Sequence, residues 1–131
     1  MKTLIRLVFA FALIFMISNA SNAQPAGMTE KEYNQFLINA LKDSNIGIRS
    51  SAVELLGQRK VQEAVDPLAI MLNTEKNNSV RILVALALHK IGDNKALPAL
   101  KKSSQRDKCS SVRHVARAIV KEMETVEVAV K

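Results

Sequence analysis

The chain has 131 residues, with 19 Lys+Arg against 12 Asp+Glu, a formal net charge of +7, one cysteine and 48% apolar residues. That is one small domain able to pack a core, and it excludes a second domain, an internal disulfide framework and a cysteine-based zinc or redox centre. Aromatic residues make up 4%, and Phe9, Phe11 and Phe15 lie near the start, which leaves Tyr33 and Phe36 and little means of recognition by stacking.

Residues 1–23 read as a secretory signal. Lys2 and Arg6 precede an uncharged apolar run from Leu7 to Ile17, and small polar residues follow, ending in Ser21-Asn22-Ala23. At ~1.5 Å per residue the run spans roughly 17 Å, short of a bilayer core of about 30 Å, so no stable membrane span is expected after cleavage. Ala23 is the expected cleavage point, with Ala20 as the alternative, and no cysteine stands there to carry a lipid. The expected destination is secreted or periplasmic. The mature chain keeps 17 basic and 12 acidic residues. Nine of the basic residues lie between Lys90 and Lys121, beside Asp93 and Asp107 alone, so the positive charge is concentrated in the last third.

After a short linker at 24–28, a folded domain is expected over 29–124. Thr29-Glu30-Lys31-Glu32 is a capping box that opens a helix presenting Tyr33, Phe36, Leu37, Ala40 and Leu41. Ile48-Arg49, Val80-Arg81 and Val112-Arg113 then recur at an interval of 32, with Ala52, Val84 and Ala116 in register and Leu56, Leu88 and Val120 after them. Each pair opens a helix-period run; the clearest is Val112, Val115, Ala116, Ile119, Val120 and Met123. Gly57 and Gly92 are expected to close the first two runs in the left-handed region. Between the runs, Ala64 aligns with Ala96 and Leu68 with Leu100; Pro67 opens a short helix there or sits in its first turn. Asn45, Ser79 and Ser110 or Ser111 are the candidate N-caps.

A helix pair this small cannot bury its apolar face alone, so the predicted fold is all-α, a solenoid of about three helix pairs. The middle run carries Ala85 where its equivalents are Val53 and Arg117, and Leu86 where they are Glu54 and Ala118, so it is apolar almost all round, as expected of a helix with neighbours on both sides. Arg117 and Lys121 replace Ala85 and His89 in the last run, which reads as a terminal cap. The tail at 125–131 alternates Val126, Val128 and Val130 with other residues. Fraying is its default, and addition as a strand to a partner's sheet is the alternative.

The Val-Arg-x-x-Ala helix and the joint Gly92-Asp93-Asn94-Lys95-Ala96-Leu97-Pro98-Ala99-Leu100 make the chain resemble HEAT repeats, particularly the short type named for phycobilisome lyases, over about residues 35 to 123. The resemblance implies a stack of antiparallel helix pairs used as a binding surface. It also implies that Arg49, Arg81 and Arg113 form a ladder between repeats, each pairing with an acid or amide of the preceding loop: Asp43 or Asn45, Asn77 or Asn78, and Asp107. The first joint departs from the pattern, with Gln58-Arg59-Lys60 after Gly57.

No nucleophile elbow, P-loop, dinucleotide fingerprint or zinc-protease motif occurs. His89 and His114 have no ligand set around them, and Cys109 is expected to be an idle loop thiol or the source of an intermolecular disulfide. Pairing of Cys109 with His114 lacks a third, orienting residue. No catalytic residue, cofactor or metal is expected. Arg113, Arg117 and Lys121 stand at i, i+4, i+8 on one side of the last helix, as a solvated cap or as a patch for an anionic envelope component. Export and the scarcity of aromatic residues count against nucleic acid. The expected function is an exported, non-catalytic protein-interaction module, with charge-driven envelope binding as one alternative and a lyase-like accessory enzyme as another.

Overall fold

The computed structural model describes residues 25–129; the expected signal at residues 1–23 lies outside the described residues. Six helices follow in order: α1 (Glu30–Ala40), α2 (Ile46–Gln58), α3 (Val65–Thr74), α4 (Asn78–Ile91), α5 (Leu97–Arg106) and α6 (Ser110–Ala129). Single 3-10 turns, Gln62–Ala64 and Asn94–Ala96, lead into α3 and α5. No strand occurs among the described residues. α1 pairs with α2, α3 with α4 and α5 with α6, and α2, α4 and α6 stack side by side as one layer. In the other layer α3 packs on α5, whereas α1 barely meets α3. The predicted solenoid of three helix pairs is therefore present, with one seam left open.

The 32-residue register is a map of the core. Ala52, Val84 and Ala116 are all buried, as are Leu56 and Leu88, and the joint positions Ala64, Ala96, Leu68 and Leu100 are wholly buried. Full burial of one such leucine contributes about 1.5–3 kcal/mol, so these rows hold the layers together. Ala85 is buried as expected of a central helix, although Leu86 beside it keeps 39% of its surface exposed.

Helix ends depart from the sequence reading in three places. The Thr29 capping box forms, and Asn45 caps α2 by accepting from Gly47 N–H at 2.8 Å. The cap of α4 is Asn77 rather than Ser79: the Asn77 Oδ1 accepts from Ser79 N–H at 2.9 Å and Val80 N–H at 3.2 Å. The residue before α6 is Cys109 rather than a serine, and its carbonyl accepts from Arg113 N–H at 3.1 Å. Gly92 closes α4 with φ +76°, as its position implied. Gly57 does not close α2. It lies within the helix, buried, where a Cβ would come within 2.9 Å of the Ala87 Cα on α4. The left-handed residue is Lys60, at φ +52°, and Lys60 N–H and Val61 N–H return to Gly57 O and Leu56 O, the pattern of a Schellman end.

Pro67 and Pro98 both fall in a first helical turn, where no backbone N–H is needed. Residues 125–129 continue α6, so Val126 and Val128 lie on a helix and not in a frayed end; Val130 lies outside the described residues. Val126 and Val128 remain exposed on this helix.

Candidate interaction surface

Two of the three register arginines, Arg49 and Arg81, bridge successive repeats, and with a partner scheme different from the one expected. Arg49 Nη1–H donates to the Asp43 carbonyl at 2.9 Å and the Ser44 carbonyl at 3.0 Å, and its Nε and Nη2 grip both Glu75 oxygens at 2.9 and 3.2 Å. Arg81 repeats this: Nη1 donates to the Glu75 and Lys76 carbonyls, and Nε and Nη2 grip Asp107 at 2.8 Å each. The preceding loop thus supplies carbonyl oxygens, while the carboxylate comes from the following loop, 26 residues on. Of the expected partners, Asn78 does accept from Arg81 Nη2, at 2.9 Å. A bidentate guanidinium clamp that also satisfies two carbonyls ties each helix start to the loops on both sides of it.

Each loop acid has a second task. Asp43, Glu75 and Asp107 lie 32 apart, and each accepts from the N–H of the residue two further on, Asn45, Asn77 and Cys109, at 2.7, 2.8 and 2.8 Å. Asp107 is held below the usual carboxylate range, first by the Arg81 hydrogen bonds, which outweigh its burial, and then by the Cys109 N–H. Burial pushes Glu75 up, but the Asn77 N–H and the Arg49 hydrogen bond and charge together leave it lowered. Arg81, nearly enclosed, is held charged by the same Asp107.

Arg113 stands apart. Its Nη1–H donates to the Asp107 carbonyl at 2.6 Å, and no carboxylate faces it among the described residues. Arg117, exposed, donates from Nη2 to the Ser104 carbonyl at 3.3 Å, and Lys121 is exposed one turn further on. The three cations therefore lie along one helix, and the first two each donate to a carbonyl of the fold.

The surface beside the ladder was not legible in the sequence. The open seam between α1 and α3 forms a cavity of about 600 Å³ with Ile38, Leu41, Pro67, Ile70 and Met71 on its walls, over the Arg49–Glu75 pair. Beyond the end of α3, a second cavity of about 380 Å³ lies over the Arg81–Asp107 pair and is lined by Lys76, Lys102, Ser103, Arg106 and Lys108. The two cavities share Thr74, Glu75 and Lys76, so they meet across the α3–α4 loop. Arg59 was missed too. It lies 5.0 Å from the Tyr33 ring centre and donates to Asn34 Oδ1 at 3.2 Å, tying α1 to the irregular first joint.

His89 Nε2 lies 3.5 Å from the Glu122 carboxylate, its Nδ1 is buried without a hydrogen-bond partner, and His114 is exposed. The Cys109 thiol is free and half-buried, and the Val112 N–H at the start of α6 lowers its pKa against the opposing effect of burial, with the Ser111 N–H adding to this. No hydrogen bond joins it to His114 among the described residues. No group of acids, histidines and cysteine among the described residues could hold a metal ion, and none of the described helices is long and apolar enough to cross a membrane.

No curated protein shows a significant match to the chain. The family model for HEAT repeats matches residues 34–120, which takes in all three ladder arginines and runs from within α1 into α6. Well over half of the chain is covered, the helix pairs stack as that repeat requires, and the chain belongs to the HEAT-repeat family.

Proposed function

We propose that this HEAT-repeat chain is an exported, non-catalytic docking module for another protein. Helical repeats of this kind present extended surfaces whose geometry is set by stacking, and their usual employment is protein binding. One observation carries the reading here: α1 and α3 leave a seam unfilled while the layer behind it is closed. An exposed apolar seam rimmed by polar residues is the kind of surface that marks a protein-interaction site. The side chains with chemical capacity support binding over catalysis, because Arg49, Arg81, Glu75 and Asp107 are committed to the ladder. The leader pattern of residues 1–23 supports export.

The test is purification of the tagged protein from the cell envelope. One protein recovered in fixed stoichiometry, together with a mature N-terminus at Gln24, supports the reading. Recovery of the chain alone at every salt concentration removes it.

A second reading has its own observation, since Arg117 and Lys121 stand exposed on α6. They would hold the module to an anionic envelope component through charge. Retention on anionic vesicles that falls as salt rises, and falls again with Arg117→Ala and Lys121→Ala, is the expected outcome; salt-independent retention removes this reading.

A further inference from the structure

We propose that the outward row of α1, α3 and α5 is a track for one kind of occupant: a partner polypeptide segment with an apolar side chain followed by acidic residues. This rests on the docking reading above and names the face and the chemistry of the partner. The 32-residue register places Ile38, Ile70 and Lys102 at equivalent positions on the three helices, and likewise Lys42, Thr74 and Arg106 one turn on. Lys76 and Lys108 are equivalent in the loops that follow. The first of these positions is apolar in two repeats, Ile38 and Ile70, and cationic in the third, Lys102; with Arg106 one turn on, where the earlier repeats carry Lys42 and Thr74, the third repeat places two cations on the row.

The structure makes this row continuous. Ile70 is 65% exposed on α3, with Ile38, Leu41 and Met71 on the walls of the same cavity, so an apolar group placed there loses contact with water on several sides. Across the shared residues Thr74 to Lys76 the second cavity collects Lys76, Lys102, Arg106 and Lys108, none of which makes an ion pair among the described residues. The carboxylates in the same linings, Glu75 and Asp107, are each gripped by a ladder arginine, so the cations exceed the acids around this cavity. Ser103 on α5, equivalent in register to Met71 on α3, has a buried Oγ with no hydrogen-bond partner in the wall of this second cavity.

Charge complementarity selects the acidic end of the occupant, and the exposed Ile70 selects the apolar end. Packed neighbouring helices such as α3 and α5 lie about 8–10 Å apart, and α1 stands off from α3 by at least as much, so three equivalent positions span roughly 20 Å or more. That is the reach of about six extended residues at ~3.3 Å each, which suits a polypeptide segment laid across the helices.

The experiment is fluorescence anisotropy on the purified protein with three labelled peptides: two leucines followed by four glutamates, the same leucines followed by four lysines, and two serines followed by four glutamates. The first should bind about tenfold more tightly than either of the others, a difference of about 1.4 kcal/mol. Ile70→Asp should erase the advantage of leucine over serine. Lys102→Ser with Arg106→Ser should erase the advantage of glutamate over lysine. Arg117→Ala with Lys121→Ala should leave both, and circular dichroism should show every variant folded. Equal binding of the lysine peptide, no binding of the acidic one, or loss on the Arg117/Lys121 change would overturn the track. So would retention on anionic vesicles in place of peptide binding. Any of these leaves the docking reading standing if a stoichiometric envelope partner is still recovered, and the two therefore fail separately.

Discussion

Arg81 and Arg113 open equivalent helices, 32 residues apart, yet one lies inside a junction and the other on an outer face. Arg81 is enclosed between repeats, with Asp107, Asn78 and two carbonyls spread over its guanidinium. Arg113 has a single carbonyl partner and stands next to exposed Arg117. The same contrast runs along the helices: Ala85 in α4 is wholly buried by its neighbours, and its equivalent Arg117 faces water. A repeat position therefore has no fixed energetic value. It takes its value from whether another repeat covers it.

The largest effect should come from Arg81→Ala, which leaves the Asp107 carboxylate without its counter-ion, held by the Cys109 N–H alone, and removes the side-chain donor of two carbonyls; it should cost about 3–5 kcal/mol in urea unfolding. Leu88→Ala, in the same central helix, should cost about 2–5 kcal/mol by opening a cavity among fully buried neighbours. A loss under about 1 kcal/mol for either would mean that the central junction carries no more than its edges.

Acid should act on the junctions next. Glu75 and Asp107 are held below their unfolded values of about 4. The unfolded chain therefore binds more protons in this range, and the stability these pairs add is present above about pH 5 and is lost as pH falls through their lowered values. The urea midpoint should drop more steeply below about pH 5 in the natural protein than in Asp107→Asn, and parallel curves would contradict the ladder's electrostatics. Arg113→Ala should cost about 1 kcal/mol, one hydrogen bond's worth, and so measure the outer rung against Arg81. Lys121→Ala should stay within about 0.5 kcal/mol; a larger loss would show that the outer face of α6 is covered after all.

Much of this was legible in the residues. Apolar spacing identified the helices, and the interval of 32 identified the stack, because both depend on which side chains must avoid water. The arginines were recognisable as a ladder, but their acids were sought in the preceding loop. The register of Glu75 with Asp107, and of both with Asp43, was available as a signal; direction was not, since a carboxylate 26 residues away is reachable only once the pairs are stacked. Gly57 looked like a helix end because glycine commonly takes the left-handed region. Its role is to admit Ala87 at close range, a property of two helices and not of one, and Lys60 accepts the left-handed strain instead. Asn77 displaced Ser79 as a cap because Glu75 accepts its N–H and so positions its side chain.

The sequence alone determined the helical period, the repeat length, the core rows and the basic bias of the last third, because each is a property of side-chain order along one chain. Tertiary structure decided which acid meets which arginine, that α1 stands off from α3, and that Lys102 and Arg106 of α5 gather with the loop residues Lys76 and Lys108 beside an apolar seam. Those outcomes depend on distances between segments far apart in sequence, which are set by how whole helices pack and cannot be read from any one of them.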